Sequence, residues 1–424
     1  MGRLAAQGFE FLARPLLHLF YFLSGLFTRD PRRWVFGSWS GRRFTDNGAA
    51  LYSYVTSLNV PPIQFTWISS DRRIVSELRR QGLPACHRWS IRGMSECLRA
   101  GVFVFDGHTK DINHWLSRGS KRVLLRHGVG IKKIERGIDI PTHRLYKLFH
   151  GNHLQKAFWR FLLPWHSVRP DLVMATSPEH AAQAELYFGV DADKIAITGF
   201  ARNDILFDDP PRGLESSLAS WIEGQRSKGR KTFLFMPTFR EGQRGRRPSW
   251  LELDRMAEQA GIGLLVKLHF VEAARDSLPE NCSNLTMVDP LTDPNTLYSH
   301  VDGLISDFSS AAYDFMLLQK PLIFFIPDFD EFVQARTFYY DYNDVTPGPK
   351  TRTVSELADA VQAAAAFGIA SYQGDYESIL KRFHTFRDGG SAERTFAAIH
   401  DRFVATQTEM TEEKTTEGNT CISS

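Results

Sequence analysis

The chain has 424 residues, 43% hydrophobic and 23% charged, which at roughly 150 residues per domain makes two or three globular domains and excludes a wholly disordered chain, a collagen or a polytopic membrane protein. Lys and Arg total 51 against 48 Asp and Glu, a net charge of +3, so no global grip on nucleic acid is expected and any anion site has to be local. The four cysteines, Cys86, Cys97, Cys282 and Cys421, show neither CxxC nor zinc-finger spacing and read as reduced, structural residues of a cytoplasmic protein.

Residues 9–27, FEFLARPLLHLFYFLSGLF, are the most apolar stretch near the start, interrupted by Glu10, Arg14, Pro15 and His18. A clean span needs about 20 apolar residues, and this run is cleanly apolar only over 16–27. No small-residue cleavage site follows it, so a secretory leader is not expected. With Arg29, Arg32 and Arg33 behind it, the run reads as an amphipathic helix on an anionic membrane surface. A core or self-association helix and a true span are the alternatives. At the far end, 407–424 lacks periodicity and aromatics and reads as a disordered tail. Its CISS ending does not complete a prenylation box.

Between the ends, short apolar or β-branched runs alternate with helical patterns, the signal of βαβ units and parallel sheets. Strands are predicted at 34–37, 65–69, 102–105, 122–125, 172–176 and 194–198, with helices near 48–57, 71–81 and 178–188. The scheme repeats with strands at 232–236, 263–268, 285–288, 303–306 and 321–325, and helices near 250–260, 307–318, 354–366 and 391–404. The polar, Pro/Gly-bearing stretch 207–231 between the halves reads as a linker. In open parallel sheets ligands bind beyond the carboxyl ends of the strands, so the residues after those ends carry the functional argument.

Four such ends stand out. After 122–125 come Arg126, His127, Gly128 and, two residues further, Ile131-Lys132-Lys133. This is a Gly-bearing loop suited to phosphate, with a histidine able to act as a general base; a surface turn before a basic helix is the competing reading. After 232–236 come Thr238 and Arg240, a hydroxyl and a guanidinium that suit phosphate, or an interdomain salt bridge. After 263–268 comes His269, otherwise a structural histidine. After 303–306, ending in Ser306, come Asp307, Ser309, Ser310 and Asp314 at a predicted helix start, which suits phosphate or simple N-capping. Asp307 disfavours phosphate against it and reads as a cap or a sugar contact. No P-loop or GxGxxG pattern occurs and no DxD-type metal pair stands at a comparable strand end, so neither a metal nor another cofactor is expected.

The order of these motifs resembles the CDP-glycerol glycerophosphotransferase family, which builds teichoic-acid and related capsule polymers. The matching pieces are WVFGSWSGRRFTDN (34–47), DINHWLSRGSKRVLLRHGVGIKKI (111–134), ATSPEH (175–180) with FGVDADKIAITGFARNDIL (188–206), FLFMPTFRE (233–241), LLVKLHF (264–270), SDFSSAAYDFMLLQKPLIFF (306–325) and FYYDYNDVTPGPKTRTVSEL (338–357). The resemblance implies a GT-B-like α/β fold, two Rossmann-like parallel-sheet domains facing across a cleft. With the N-terminal helix, the expected division is 1–33 helix and linker, 34–206 acceptor-side domain, 207–231 linker, 232–406 CDP-donor domain and 407–424 tail.

The resemblance further implies transfer of glycerol phosphate from CDP-glycerol to a lipid-linked or polymeric glycan acceptor at the cytoplasmic face of a bacterial membrane, with CMP leaving. His127 is then the base, and His269 contacts the donor phosphates. Thr238, Arg240, Ser306, Asp307, Ser309, Ser310 and Asp314 hold the donor, and Gly128, Lys132, Arg202, Asn203 and Asp204 are candidate phosphate or acceptor contacts. Departures from the family pattern are Arg126 for Trp, Val129-Gly130 for Thr-Pro, Phe200-Ala201 for Tyr-Pro and Phe270 for Pro. A CDP-ribitol or nucleotide-sugar donor, or a catalytically silent scaffold, are the rival implications.

Overall fold

The computed structural model describes residues 13–58, 62–238, 248–268, 278–279 and 281–405. Seven strands, β1 (Asp30–Gly37), β2 (Gln64–Ser69), β3 (Ala85–His87), β4 (Ala100–Phe105), β5 (Lys121–Leu124), β6 (Leu172–Ala175) and β7 (Ile195–Ile197), form one sheet in the order β3-β2-β1-β4-β5-β6-β7. Every neighbouring pair is parallel. The second sheet holds β8 (Lys231–Phe235), β9 (Ile262–Val266), β10 (Leu285–Met287), β11 (Gly303–Ser306), β12 (Leu322–Phe325) and β13 (Lys350–Thr351) in the order β10-β9-β8-β11-β12-β13, again all parallel. Parallel strands covered on both faces have to be apolar throughout. All six residues of β4, AGVFVF, and all five of β9, IGLLV, are accordingly buried.

Each sheet begins in its middle, builds outward to one edge, then crosses back to extend the other side. The strand order therefore reverses between β1 and β4 and between β8 and β11. That reversal opens a crevice beyond the strand ends where ligands sit, giving the two facing Rossmann-like halves expected from the sequence.

Local chemistry fixes the covering helices. Pro178–Phe188 starts at a Ser177 side chain that accepts from the His180 amide and stops at Gly189, whose φ of 60° is the left-handed cap conformation. Val354–Phe367 and Trp250–Gln259 open with capping boxes, Thr353 with Glu356 and Ser249 with Glu252.

Several elements escape the sequence pattern. β3 has three residues and β13 two, too short for periodicity to register. Helices at Ile91–Arg99, His153–Leu162, Phe329–Ala335 and Gln373–Phe383 are also additional. The stretch read as linker holds the helix Ser216–Ser227, whose Leu218 and Ile222 enter the core of the second sheet. At the C-terminal end, residues read as part of the second unit return to the first: Ala392, Ile399, Phe403 and Val404 pack into the core with Trp34, Phe36 and Trp67. Asp204 anchors this return by accepting from the amides of Ser391 (2.9 Å) and Ala392 (2.7 Å).

The loop after β5 joins the halves. Val129 and Ile131 belong to one apolar cluster with Leu234, Phe308 and Tyr313 of the second unit. The Lys133 amide donates to Thr337 O (3.0 Å) and the Tyr339 amide to Ile131 O (2.7 Å). A buried Val129 where the family pattern has Thr is thus an interdomain core residue.

Candidate active site

The loops beyond β1, β4 and β5 meet those beyond β8 and β11, and the meeting point is one histidine. The ring of His127 presents Nδ1 to Asp46 Oδ2 at 2.7 Å. Asp46 opens the helix Asp46–Ser57 with a φ of 69°, a left-handed conformation rare outside glycine that Asp tolerates. Its other oxygen, Oδ1, pairs with Arg202 Nη1 at 2.5 Å, while Trp39 Nε1 donates at 3.3 Å to the same Oδ2 that faces His127. Arg202 Nη2 in turn pairs with Asp314 Oδ2 at 2.6 Å, and Asn203 donates to Asp314 Oδ1 at 2.9 Å. Asn295 completes the seam by donating to Asn203 Oδ1 at 2.7 Å.

Two glycines permit this approach. A Cβ on Gly107 would stand 2.7 Å from His127 Nε2, and one on Gly128 would stand 2.9 Å from both Arg202 Nη2 and Ser310 Oγ. At either position a side chain would displace the histidine or the interdomain contact.

The electrostatics follow from burial and partners. Burial works against the Asp46 carboxylate, but the charges of Arg202 and His127 prevail and hold it well below the usual carboxylate range. Burial likewise opposes charge on His127. The Asp46 hydrogen bond and the charges of Asp46, Asp106 and Asp111 outweigh it and raise the ring to about 9. Asp106, fully buried beyond β4, is raised well above its ordinary range by desolvation and by the Asp46 charge. It accepts from the Gly48 amide at 2.8 Å.

His127 lies on the walls of two cavities. One, of ≈ 490 Å³, runs from Trp39 and Arg43 across to Thr238, Lys267, Ser309 and Ser310 of the second unit. The other, of ≈ 660 Å³, lies on the first unit among Arg42, Lys110 and Arg126. Both are of ligand size.

Of the predicted site residues, the first cavity gathers His127, Lys132, Arg202, Thr238, Ser309, Ser310 and Asp314, and Gly128 lines the second. Thr238 donates through its amide (2.8 Å) and hydroxyl (2.5 Å) to Asp307, which is buried and so ties β8 to β11. Ser306 is buried at the end of β11. Arg202, Asn203 and Asp314 clamp the two units together, and Asp204 caps the helix Ser391–His400. The helix predicted at 307–318 is only Ala311–Met316, so Ser309 and Ser310 stand in the loop before it. Arg240 and His269 lie outside the described residues. The sequence reading did not single out Asp46, Asp106 or Asn295. Asp46 stands inside the quoted FTDN motif and Asp106 directly after a predicted strand, which is the signal that was available.

The family model described as CDP-Glycerol:Poly(glycerophosphate) glycerophosphotransferase matches residues 19–401. The chain belongs to that family. It is a glycerophosphotransferase that takes glycerol phosphate from CDP-glycerol. It is 26% identical to the teichoic acid glycerol-phosphate transferase of Staphylococcus aureus (strain NCTC 8325 / PS 47), over 81% of this chain and 87% of that protein. It is 24% identical to the teichoic acid poly(glycerol phosphate) polymerase of Bacillus subtilis (strain 168), over 77% of this chain but only 43% of that longer protein. A 30% match to the teichoic acid poly(ribitol-phosphate) polymerase of Bacillus spizizenii (strain ATCC 23059 / NRRL B-14472 / W23) covers 50% of this chain and 34% of that one. Among solved structures, a variant of the wall teichoic acid polymerase TagF soaked with CDPG shares the fold with a TM-score of 0.71 at 20% identity, over 89% of this chain and 91% of that chain.

In this glycerophosphotransferase the Arg202 side chain is 11% exposed, and the carboxylates it bridges are 6% and 3% exposed. Removing one partner of a buried ion pair typically costs about 3–5 kcal/mol, because the others are left without compensation. Arg202→Ala is expected to lose stability of that order in urea unfolding, and Arg202→Lys, a single-point donor, to recover only part of it.

Proposed function

We propose that His127 is the general base of this glycerophosphotransferase, with the CDP-glycerol pyrophosphate in the cavity toward Thr238, Ser309 and Ser310 and the acceptor hydroxyl entering from the cavity on the first unit. The observation that supports this is the position of His127 on both cavities, with its Nδ1 taken by Asp46. An Nδ1–H donated to Asp46 leaves the Nε2 lone pair for the acceptor proton. The acceptor oxygen attacks the β-phosphorus in line, the bond from phosphorus to the bridging oxygen breaks, and CMP leaves with that electron pair. Hydroxyls, amides and the cations Lys132 and Lys267 offset the charge on the pyrophosphate. We place Arg240 and His269 on the same donor side on the strength of the family motif.

The acceptor is a hydroxyl of a teichoic acid polymer, which we place at a membrane surface. Among the described residues no helix is long and apolar enough to cross a membrane. The helix Arg14–Ser24 leaves Leu16, Leu19, Phe20 and Phe22 exposed. It touches the helix His153–Leu162 through His18, which stacks on Phe161 at 4.7 Å, and the latter exposes Leu154 and Phe158. Together they present one apolar face, flanked by exposed Arg118 and Arg160. Arg29 and Arg33 do not serve this face. Arg29 donates to the carbonyls of Ser24, Cys97, Leu116 and Arg118, and Arg33 pairs with Asp30 and Glu96.

Three measurements test this reading. His127→Ala should fold yet release CMP from CDP-glycerol about 10²–10⁴-fold more slowly, the usual worth of a general base; near-normal initial rates would refute the role. In the wild type kcat/KM should climb with pH toward the raised His127 value of about 9. A base works deprotonated, so in Asp46→Asn, which loses the charge that raises it, the limb should move to lower pH. Phe20→Ser with Phe22→Ser should shift the protein from anionic vesicles to the supernatant, and unchanged sedimentation would remove the helix as the anchor. The match to a ribitol-phosphate polymerase favours CDP-ribitol as the second reading, separated by direct competition between the two donors.

A further inference from the structure

At the wall of the cavity on the first unit, His108 beyond β4 and Glu135 after the His127 loop are joined from behind by His166, in the turn Pro164–Ser167. A donor atom of each lies within 4.8 Å of the other two. Glu135 Oε1 stands 3.0 Å from His166 Nδ1 and 3.7 Å from His108 Nε2. Four donors at zinc-ligand bond lengths of 2.0–2.1 Å in tetrahedral array sit about 3.3 Å apart, so these spacings need little adjustment to close on an ion.

The charge balance points the same way. Glu135 is 12% exposed, and among the described residues its only ion pairs are with these two histidines. With only imidazoles within ion-pair distance and Lys110 acting on it from farther away, this largely enclosed carboxylate suits a compensating positive charge. Two imidazole nitrogens with one carboxylate match borderline transition cations, whereas Ca²⁺ and Mg²⁺ take oxygen donors.

We propose that His108, Glu135 and His166 form a three-ligand site for a divalent transition cation of the zinc class. Three protein ligands leave a coordination position for water or a substrate oxygen, and His108 and Glu135 line the same cavity as His127. Gly107, next to His108, is the residue that makes room for His127 Nε2, which places the site beside the proposed acceptor path. No spacing motif announces it, because its ligands come 27 and 31 residues apart on loops that only the fold brings together.

The test uses the full chain, stripped with a chelator and titrated with Co²⁺ and then Zn²⁺. Bound metal is counted by elemental analysis after gel filtration, and Co²⁺ geometry is read from its visible absorption. One equivalent of Co²⁺ with four-coordinate absorption, displaced by Zn²⁺, is expected in the wild type and in His127→Ala. Glu135→Gln and His166→Ala should each weaken binding by more than the ~10–100-fold that loss of an outer partner costs. His108→Asn, a smaller change, gives the same comparison if His166→Ala does not fold. No retained equivalent in the wild type overturns the site, as does binding that survives Glu135→Gln or that His127→Ala abolishes.

Discussion

The structure turns on a single guanidinium. Arg202 belongs to the first unit, yet its two nitrogens are divided between Asp46 at the start of a first-unit helix and Asp314 on the second unit. Neither carboxylate could stay ionised at such depth alone, and a shared cation is what makes both tolerable. Continued through Asp46 to His127, the arrangement is a row of alternating charge that crosses the cleft. The proton affinity of the histidine is therefore tied to the seating of one half on the other.

Asp106 keeps that row in balance. With Asp46 ionised close by, a second charge in the same dry pocket is disfavoured, and the Asp106 carboxyl is pushed toward its neutral form. Asp46, hydrogen-bonded to the ring, is then the foremost of the carboxylates acting on His127. The two cavities share the ring, Trp39, Arg43 and Ser310 but then diverge: one runs on to Thr238, Lys267 and Ser309 of the second unit, the other stays among Arg42, Lys110 and Arg126 of the first. A proton acceptor at such a junction can serve a reaction whose two substrates come from opposite directions.

Much of this was legible beforehand. The long apolar strands and the capped helices announced themselves, since their residues face a sheet or a core with a fixed period. β3 (ACH) and β13 (KT) did not, because neither carries an apolar run, and the helix Ser216–Ser227 was hidden by the polar, Pro-rich stretch around it. At the site the strand-end rule found His127, Thr238 and the serines, because they sit one to four residues beyond a strand. The strand-end rule named Asp314, and the family motif Arg202 and Asn203, as candidate contacts; in the fold their side chains also meet one another across the seam. Charge and position alone do not distinguish a group that meets a substrate from one that meets a partner 112 residues away. The His108–Glu135–His166 cluster was invisible for the same reason.

The return of residues 391–405 to the first core has a consequence for synthesis. Domains ordinarily fold as units, the N-terminal one first as it leaves the ribosome. Here the core around Trp34 and Trp67 lacks Ile399 and Phe403 until every strand of the second sheet has been made. The first half thus waits, with part of its apolar surface uncovered, through the synthesis of the second. Residues before and after the second sheet thus share one core, and completion of the first unit is a late event rather than an early one.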